Sequence, residues 1–130
     1  MQFRSTRMRI LVVDDEEMIR ELVRATLSGD ARFELNEAPN GEVALEVAAE
    51  WQPDLVILDV RMPGLDGVET CQALRERYGP DQPTIVMLTA LGQESDVQRY
   101  AEAGANGYFI KPFSPRALLE HVYGMFDLAA

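Results

Sequence analysis

Five short apolar runs, four of them halted by a polar residue and most followed by a stretch of helical periodicity, constrain this chain more than any other feature. Arg9 to Val13 stops at Asp14, and Asp54 to Leu58, reading Asp-Leu-Val-Ile-Leu, stops at Asp59. Thr84 to Leu88 ends at Thr89, Tyr108 to Ile110 ends at Lys111, and Phe33 to Ala38 is a weaker, half-alternating version. Such runs are strands buried on two faces. Between them, Ile19, Leu22, Val23 and Leu27 recur at helical spacing, and further helices are expected at Glu42 to Glu50, Val68 to Tyr78, Ser95 to Ala103 and Pro115 to Phe126. Ser114-Pro115 is a cap followed by a first-turn proline. Strands alternating with helices over short connections imply an α/β protein, (βα)5 and doubly wound, because right-handed crossovers lay each helix over a parallel sheet. The usual order of such a five-stranded sheet is 2-1-3-4-5, and ligands bind outside the carboxyl ends of its strands where the order reverses.

Length and charge agree with one such domain. A chain of 130 residues has no room for a second. Met1 to Arg7 reads as a small extension, with Met8 an alternative start, and the domain is expected over 8–127. Four residues follow Phe126, so no output domain is expected in the chain. A net charge of −10 argues against direct binding of nucleic acid or an anionic membrane. No apolar run approaches the roughly 20 residues needed to span a bilayer, and Met1 to Arg7 is too short and polar for a secretory signal. The single cysteine, Cys71, removes disulfide frameworks and fits a reducing cytoplasm.

The residues that end the strands then define the chemistry. Asp14 and Asp15, Asp59, Thr89 and Lys111 should project onto one rim. Three carboxylates in one pocket repel, so the site must raise a pKa, draw in Lys111 or bind a cation. Oxygen ligands with room for a phosphate favour Mg²⁺, with Mn²⁺ able to substitute. Asp59, alone at the end of the central strand, is the best nucleophile for an acyl phosphate; Thr89 and Lys111 are placed to meet phosphoryl oxygens. Taken singly, each of these residues fits an ordinary structural role: Asp14 to Glu17 as a helix-start run, Asp59 as a turn residue, Thr89 as a cap, Lys111 as a solvated charge. Their joint placement at the ends of strands 1, 3, 4 and 5 favours a site. Cys71, Trp51 and the lone His121 read as packing or helix residues.

Four blocks carry a resemblance: Ile10-Leu-Val-Val-Asp-Asp-Glu16, Leu55-Val-Ile-Leu-Asp-Val-Arg-Met-Pro-Gly-Leu-Asp-Gly67, Val86-Met-Leu-Thr-Ala90 and Gly104-Ala-Asn-Gly-Tyr-Phe-Ile-Lys-Pro-Phe113. In this order they resemble the response-regulator receiver domain of two-component signalling, whose fold is flavodoxin-like. The resemblance implies a phosphoacceptor at Asp59, metal ligands at Asp14, Asp15 and Asp59 with the main-chain carbonyl of Arg61, and a switch pairing Thr89 with Tyr108. It also implies a cis Lys111-Pro112 peptide, phosphoryl transfer from a sensor histidine kinase or phosphotransfer protein, and a downstream partner or homodimer engaging helix 4, strand 5 and helix 5. The chain is then a regulatory module and not an enzyme. Arg61 and Leu91, two positions past Asp59 and Thr89, are expected to tune phosphoryl lifetime.

Other readings fit less well. An aspartyl-phosphate phosphatase would carry Asp-x-Asp after the first strand, where this chain has Asp14 and Asp15 adjacent, and a nucleotide or flavin module would carry a glycine-rich loop there. A receiver-like scaffold that takes no phosphate is argued against by the intact Asp14, Asp15, Asp59, Thr89 and Lys111.

Overall fold

The computed structural model describes residues 7–90 and 92–128. The chain runs β1 (Met8–Val13), α1 (Glu17–Leu27), β2 (Phe33–Ala38), α2 (Gly41–Trp51), β3 (Leu55–Asp59), α3 (Gly67–Tyr78) and β4 (Thr84–Ala90). It continues through a 3₁₀ turn at Glu94–Asp96, α4 (Val97–Ala103), β5 (Gly107–Lys111) and α5 (Pro115–Phe126). The strands form one parallel sheet, as the alternation implies, in the expected order β2-β1-β3-β4-β5.

Strand burial follows position in the sheet. All five residues of β3 are buried, whereas the edge strands β2 and β5 are mostly half-buried, which explains why Phe33 to Ala38 reads only half apolar. The period of two along β1 feeds two cores. Leu11 and Val13 join Val56, Leu58, Leu74, Met87 and Tyr100 under α2, α3 and α4. Ile10 and Val12 join Val23, Leu27, Ile57, Leu88, Leu118 and Val122 under α1 and α5. Each such aliphatic side chain taken from water contributes about 1.5–3 kcal/mol.

Local chemistry sets the helix starts. The Asn40 side chain accepts from the Val43 amide, Asp66 and Glu69 form a reciprocal capping box, and Ser114 Oγ accepts from Ala117 N at 3.0 Å. α1 differs: Glu16 occupies its N-cap without a side-chain capping bond, so the acidic run is not spent on capping. α4 is shorter than Ser95 to Ala103. Gln93 O accepts from Asp96 N at 3.0 Å, an i to i+3 closure, and Asp96 has non-helical ψ, so the first turn is 3₁₀ and the α-helix begins at Val97. None of the described helices is long and apolar enough to cross a membrane.

Candidate functional site

β1 and β3 lie side by side, pairing Val13 with Leu58, so their carboxyl ends deliver Asp14 and Asp59 to one spot. β4 and β5 continue the rim, with Thr89 opposite Ile110 and Ala90 opposite Lys111. The carboxyl end of β3 extends one residue past its apolar run and that of β4 two, so Asp59 and Thr89 are themselves strand residues. That fixes their side chains by the sheet rather than by loop geometry.

The Lys111 ammonium sits between two carboxylates, 3.1 Å from Asp14 Oδ2 and 3.1 Å from Asp59 Oδ1, with Glu16 Oε1 at 3.7 Å. Asp14 is fully buried, Asp59 is 5% exposed, and Asp15 stands in solvent. Asp14 also accepts from the Glu16 amide at 2.9 Å, and the carbonyl of Asp14 accepts from Arg20 Nη1 at 2.8 Å. Arg20 in turn binds Glu37 of β2 at 2.8 Å, which anchors the β1–α1 loop. α3 begins hard against the site: a Cβ on Gly67 would overlap the Asp59 carbonyl oxygen, so only glycine fits there.

Burial governs the charges. Desolvation, then the neighbouring Asp14 charge, pushes Asp59 up to about 6 against the pull of Lys111. Burial likewise raises Asp14, although the Glu16 amide and Lys111 oppose it. For Lys111 burial acts downward, but Asp59 and Asp14 outweigh it and hold the ammonium above its ordinary range. One ammonium faces three carboxylates. Asp14, Asp15 and Asp59 each offer an oxygen within 4.8 Å of the others. An all-oxygen, net-negative cluster open on the Asp15 side is the donor set of a hard divalent cation, and these residues fit one.

The remaining expected residues distribute unevenly. Thr89 is fully buried at the rim. Its hydroxyl does not meet Tyr108, which is 37% exposed on the edge strand; it lies 2.9 Å from the hydroxyl of Tyr100 in α4. Tyr108 sits opposite Met87, two positions before Thr89 in register, and points outward. The Arg61 guanidinium is engaged by the Gln93 side-chain amide: with its oxygen turned to Arg61, Gln93 accepts from Nη2 at 2.8 Å and from Nε. Leu91 lies outside the described residues. The Lys111-Pro112 peptide is cis, as is Gln82-Pro83. His121 packs its ring against Phe109, centroids 5.2 Å apart, away from the rim, and Cys71 is a buried thiol.

Gln93 and Tyr100 are the site neighbours that sequence reasoning missed. Gln93 lies in a polar loop without motif or periodicity. Tyr100 falls on the apolar stripe of α4 and reads as core, which it also is, at 2% exposure; nothing in the sequence marks its hydroxyl.

Comparison with known proteins bears on the same residues. The family model described as the response regulator receiver domain matches residues 10–123. The chain is 41% identical over 122 residues to the transcriptional regulatory protein ResD of Bacillus subtilis, covering 94% of this chain and 49% of ResD. It is 42% identical over 113 residues to the transcriptional regulatory protein SrrA of Staphylococcus aureus, covering 87% and 45%. The chain thus spans about half the length of these curated relatives. Among solved structures, the chemotaxis protein CheY4 of Vibrio cholerae superposes with a TM-score of 0.84 at 33% identity, covering 91% of this chain and 98% of that one. These relatives do not favour a phosphatase-type enzyme or a phosphate-free scaffold. With five strands in the order 2-1-3-4-5 and the acidic rim at their carboxyl ends, the chain belongs to the response regulator receiver domain family.

Proposed function

We propose that Asp59 accepts a phosphoryl group from a phosphohistidine on a sensor kinase or phosphotransfer protein, with Mg²⁺ held by Asp14, Asp15, Asp59 and the main-chain carbonyl of Arg61. A carboxylate oxygen of Asp59 attacks phosphorus, the P–N bond of the donor breaks, and its electron pair leaves with the donor imidazole. The ion, when bound, neutralises charge on the transferred oxygens. Lys111 supplies a second, fixed positive charge to the same oxygens. The hydroxyl of Thr89 donates to one of them once the acyl phosphate has formed.

The observation that carries this reading is the seating of Lys111 at 3.1 Å from both Asp14 and Asp59. An ammonium between two buried carboxylates already compensates anionic charge where a phosphoryl group would add more. The module acts in the cytoplasm as a regulatory domain, and its downstream partner engages α4, β5 and α5. That partner is either a fused output domain, as the greater length of ResD and SrrA suggests, a separate protein or a second copy of the chain.

The test is intact mass spectrometry after incubation with a small acyl phosphate. One phosphoryl increment is expected with Mg²⁺, none with chelator, and none in Asp59→Asn. Mg²⁺ at ten times its Kd should stabilise the fold by about 1.4 kcal/mol, read as a rise in Tm that Asp15→Asn weakens. Unchanged labelling of Asp59→Asn would move the nucleophile elsewhere.

A further inference from the structure

Tyr100 brings to Thr89 the phenol hydroxyl that the sequence led one to expect from Tyr108. The Tyr100 hydroxyl donates to the main-chain carbonyl of Gln93 at 3.2 Å and lies 2.9 Å from Thr89 Oγ1. A phenol has one proton, and a carbonyl has none to give. With that proton committed to Gln93, the short contact to Thr89 is a bond in which Thr89 donates. Among the described residues the other polar group near Thr89 is the Gln93 side-chain amide at 3.4 Å, and with its oxygen turned to the Arg61 guanidinium, a charged donor, it presents nitrogen and not an acceptor to Thr89. The one proton of Thr89 is therefore held by Tyr100.

We infer that Tyr100 is a positioning residue that carries the state of Thr89 into the start of α4 by reversing the direction of one hydrogen bond. The inference rests on the phosphorylation of Asp59 proposed above. When Thr89 turns its proton to a phosphoryl oxygen, its own oxygen is left as an acceptor, and the Tyr100 hydroxyl rotates its proton onto it. The Gln93 carbonyl then loses the phenol and keeps the Asp96 amide, its remaining 3.0 Å donor. The 3₁₀ turn at Glu94–Asp96 is loosened by one tether, and Tyr108 need not move for this to happen. Both hydroxyls are sealed from water, Thr89 at 0% and Tyr100 at 2% exposure, so no solvent molecule substitutes for either proton.

Amide hydrogen exchange over 92–100, read by mass spectrometry on unmodified and phosphorylated full chain, tests this. In wild type, phosphorylation should raise exchange in that segment roughly fivefold, the factor one ordinary hydrogen bond contributes to a local opening equilibrium. Tyr100→Phe keeps the ring and removes the proton. Before phosphorylation it should already exchange as the phosphorylated wild type does, and phosphorylation should add nothing further. A variant that starts at the wild-type level and retains the full rise overturns the inference. So does loss of the rise in Tyr108→Phe with its retention in Tyr100→Phe, which gives the role to Tyr108. Failure of wild type to gain the phosphoryl mass overturns the Asp59 reading itself. A labelled wild type with an unresponsive 92–100 segment overturns only the role of Tyr100.

Discussion

Lys111 and Asp59 hold each other in an arrangement that favours charge on one and opposes it on the other. The ammonium is stabilised by two carboxylates, while Asp59, buried beside Asp14, sits at about 6. The folded protein therefore binds a proton at Asp59 more tightly than the unfolded chain, whose carboxyl titrates near 3.8. Between these values the native state holds the proton and the unfolded state does not, so metal-free stability falls as pH rises through this window and the loss is complete above it. Its full size is about 3 kcal/mol. Asp59→Asn removes the titration. In urea denaturation with chelator present, the variant should exceed wild type by up to about 3 kcal/mol at pH 7–8, with the gap closing as pH falls toward 4. Parallel pH profiles would mean that Asp59 carries no such burden.

The junction of β3 with α3 is as tight as a strand-to-helix connection can be. Gly67 begins α3 with the Asp59 carbonyl and the Val60 backbone occupying the place a Cβ would take. Gly67→Ala should cost about 1–3 kcal/mol through backbone displacement and should slow phosphoryl uptake, because the overlap falls on Asp59, the residue proposed to take the phosphoryl group. Gly124→Ala in α5 meets nothing within 4 Å and should stabilise by about 0.5 kcal/mol. Urea midpoints of the two variants, moving in opposite directions, check the pair. The same contrast marks what was legible in the chain. Element type and order were readable because apolar runs and helical stripes are driven by burial, as in β2 and α5, whose expected bounds Phe33–Ala38 and Pro115–Phe126 match the structure. Asp59 and Thr89 were legible as rim residues because a polar side chain closing a buried apolar strand is costly to bury unless something at the strand end engages it. The partner of Thr89 was not legible. Which hydroxyl meets it depends on whether α4 or β5 brings an aromatic ring inward, and both Tyr100 and Tyr108 satisfy the local pattern.

On the scale of the whole molecule, the sheet has one core on each of its faces. Val23 belongs to the cluster under α1 and α5, and Leu74 to that under α2, α3 and α4. Val23→Ala and Leu74→Ala should each destabilise by about 1–5 kcal/mol, and the double variant should show their sum within about 0.5 kcal/mol. Val23→Ala with Val122→Ala, drawn from one cluster, should depart from additivity. Equilibrium denaturation of the four proteins in each cycle measures this. The acidic rim is where the two layers share an edge, with Lys111 reaching Asp14 on one side and Thr89 bonded to Tyr100 on the other. A sheet that insulates its faces in this way also separates two lines of descent. Substitutions that refit the helices on one face leave the side-chain packing behind the other in place, so the two faces can drift at different rates.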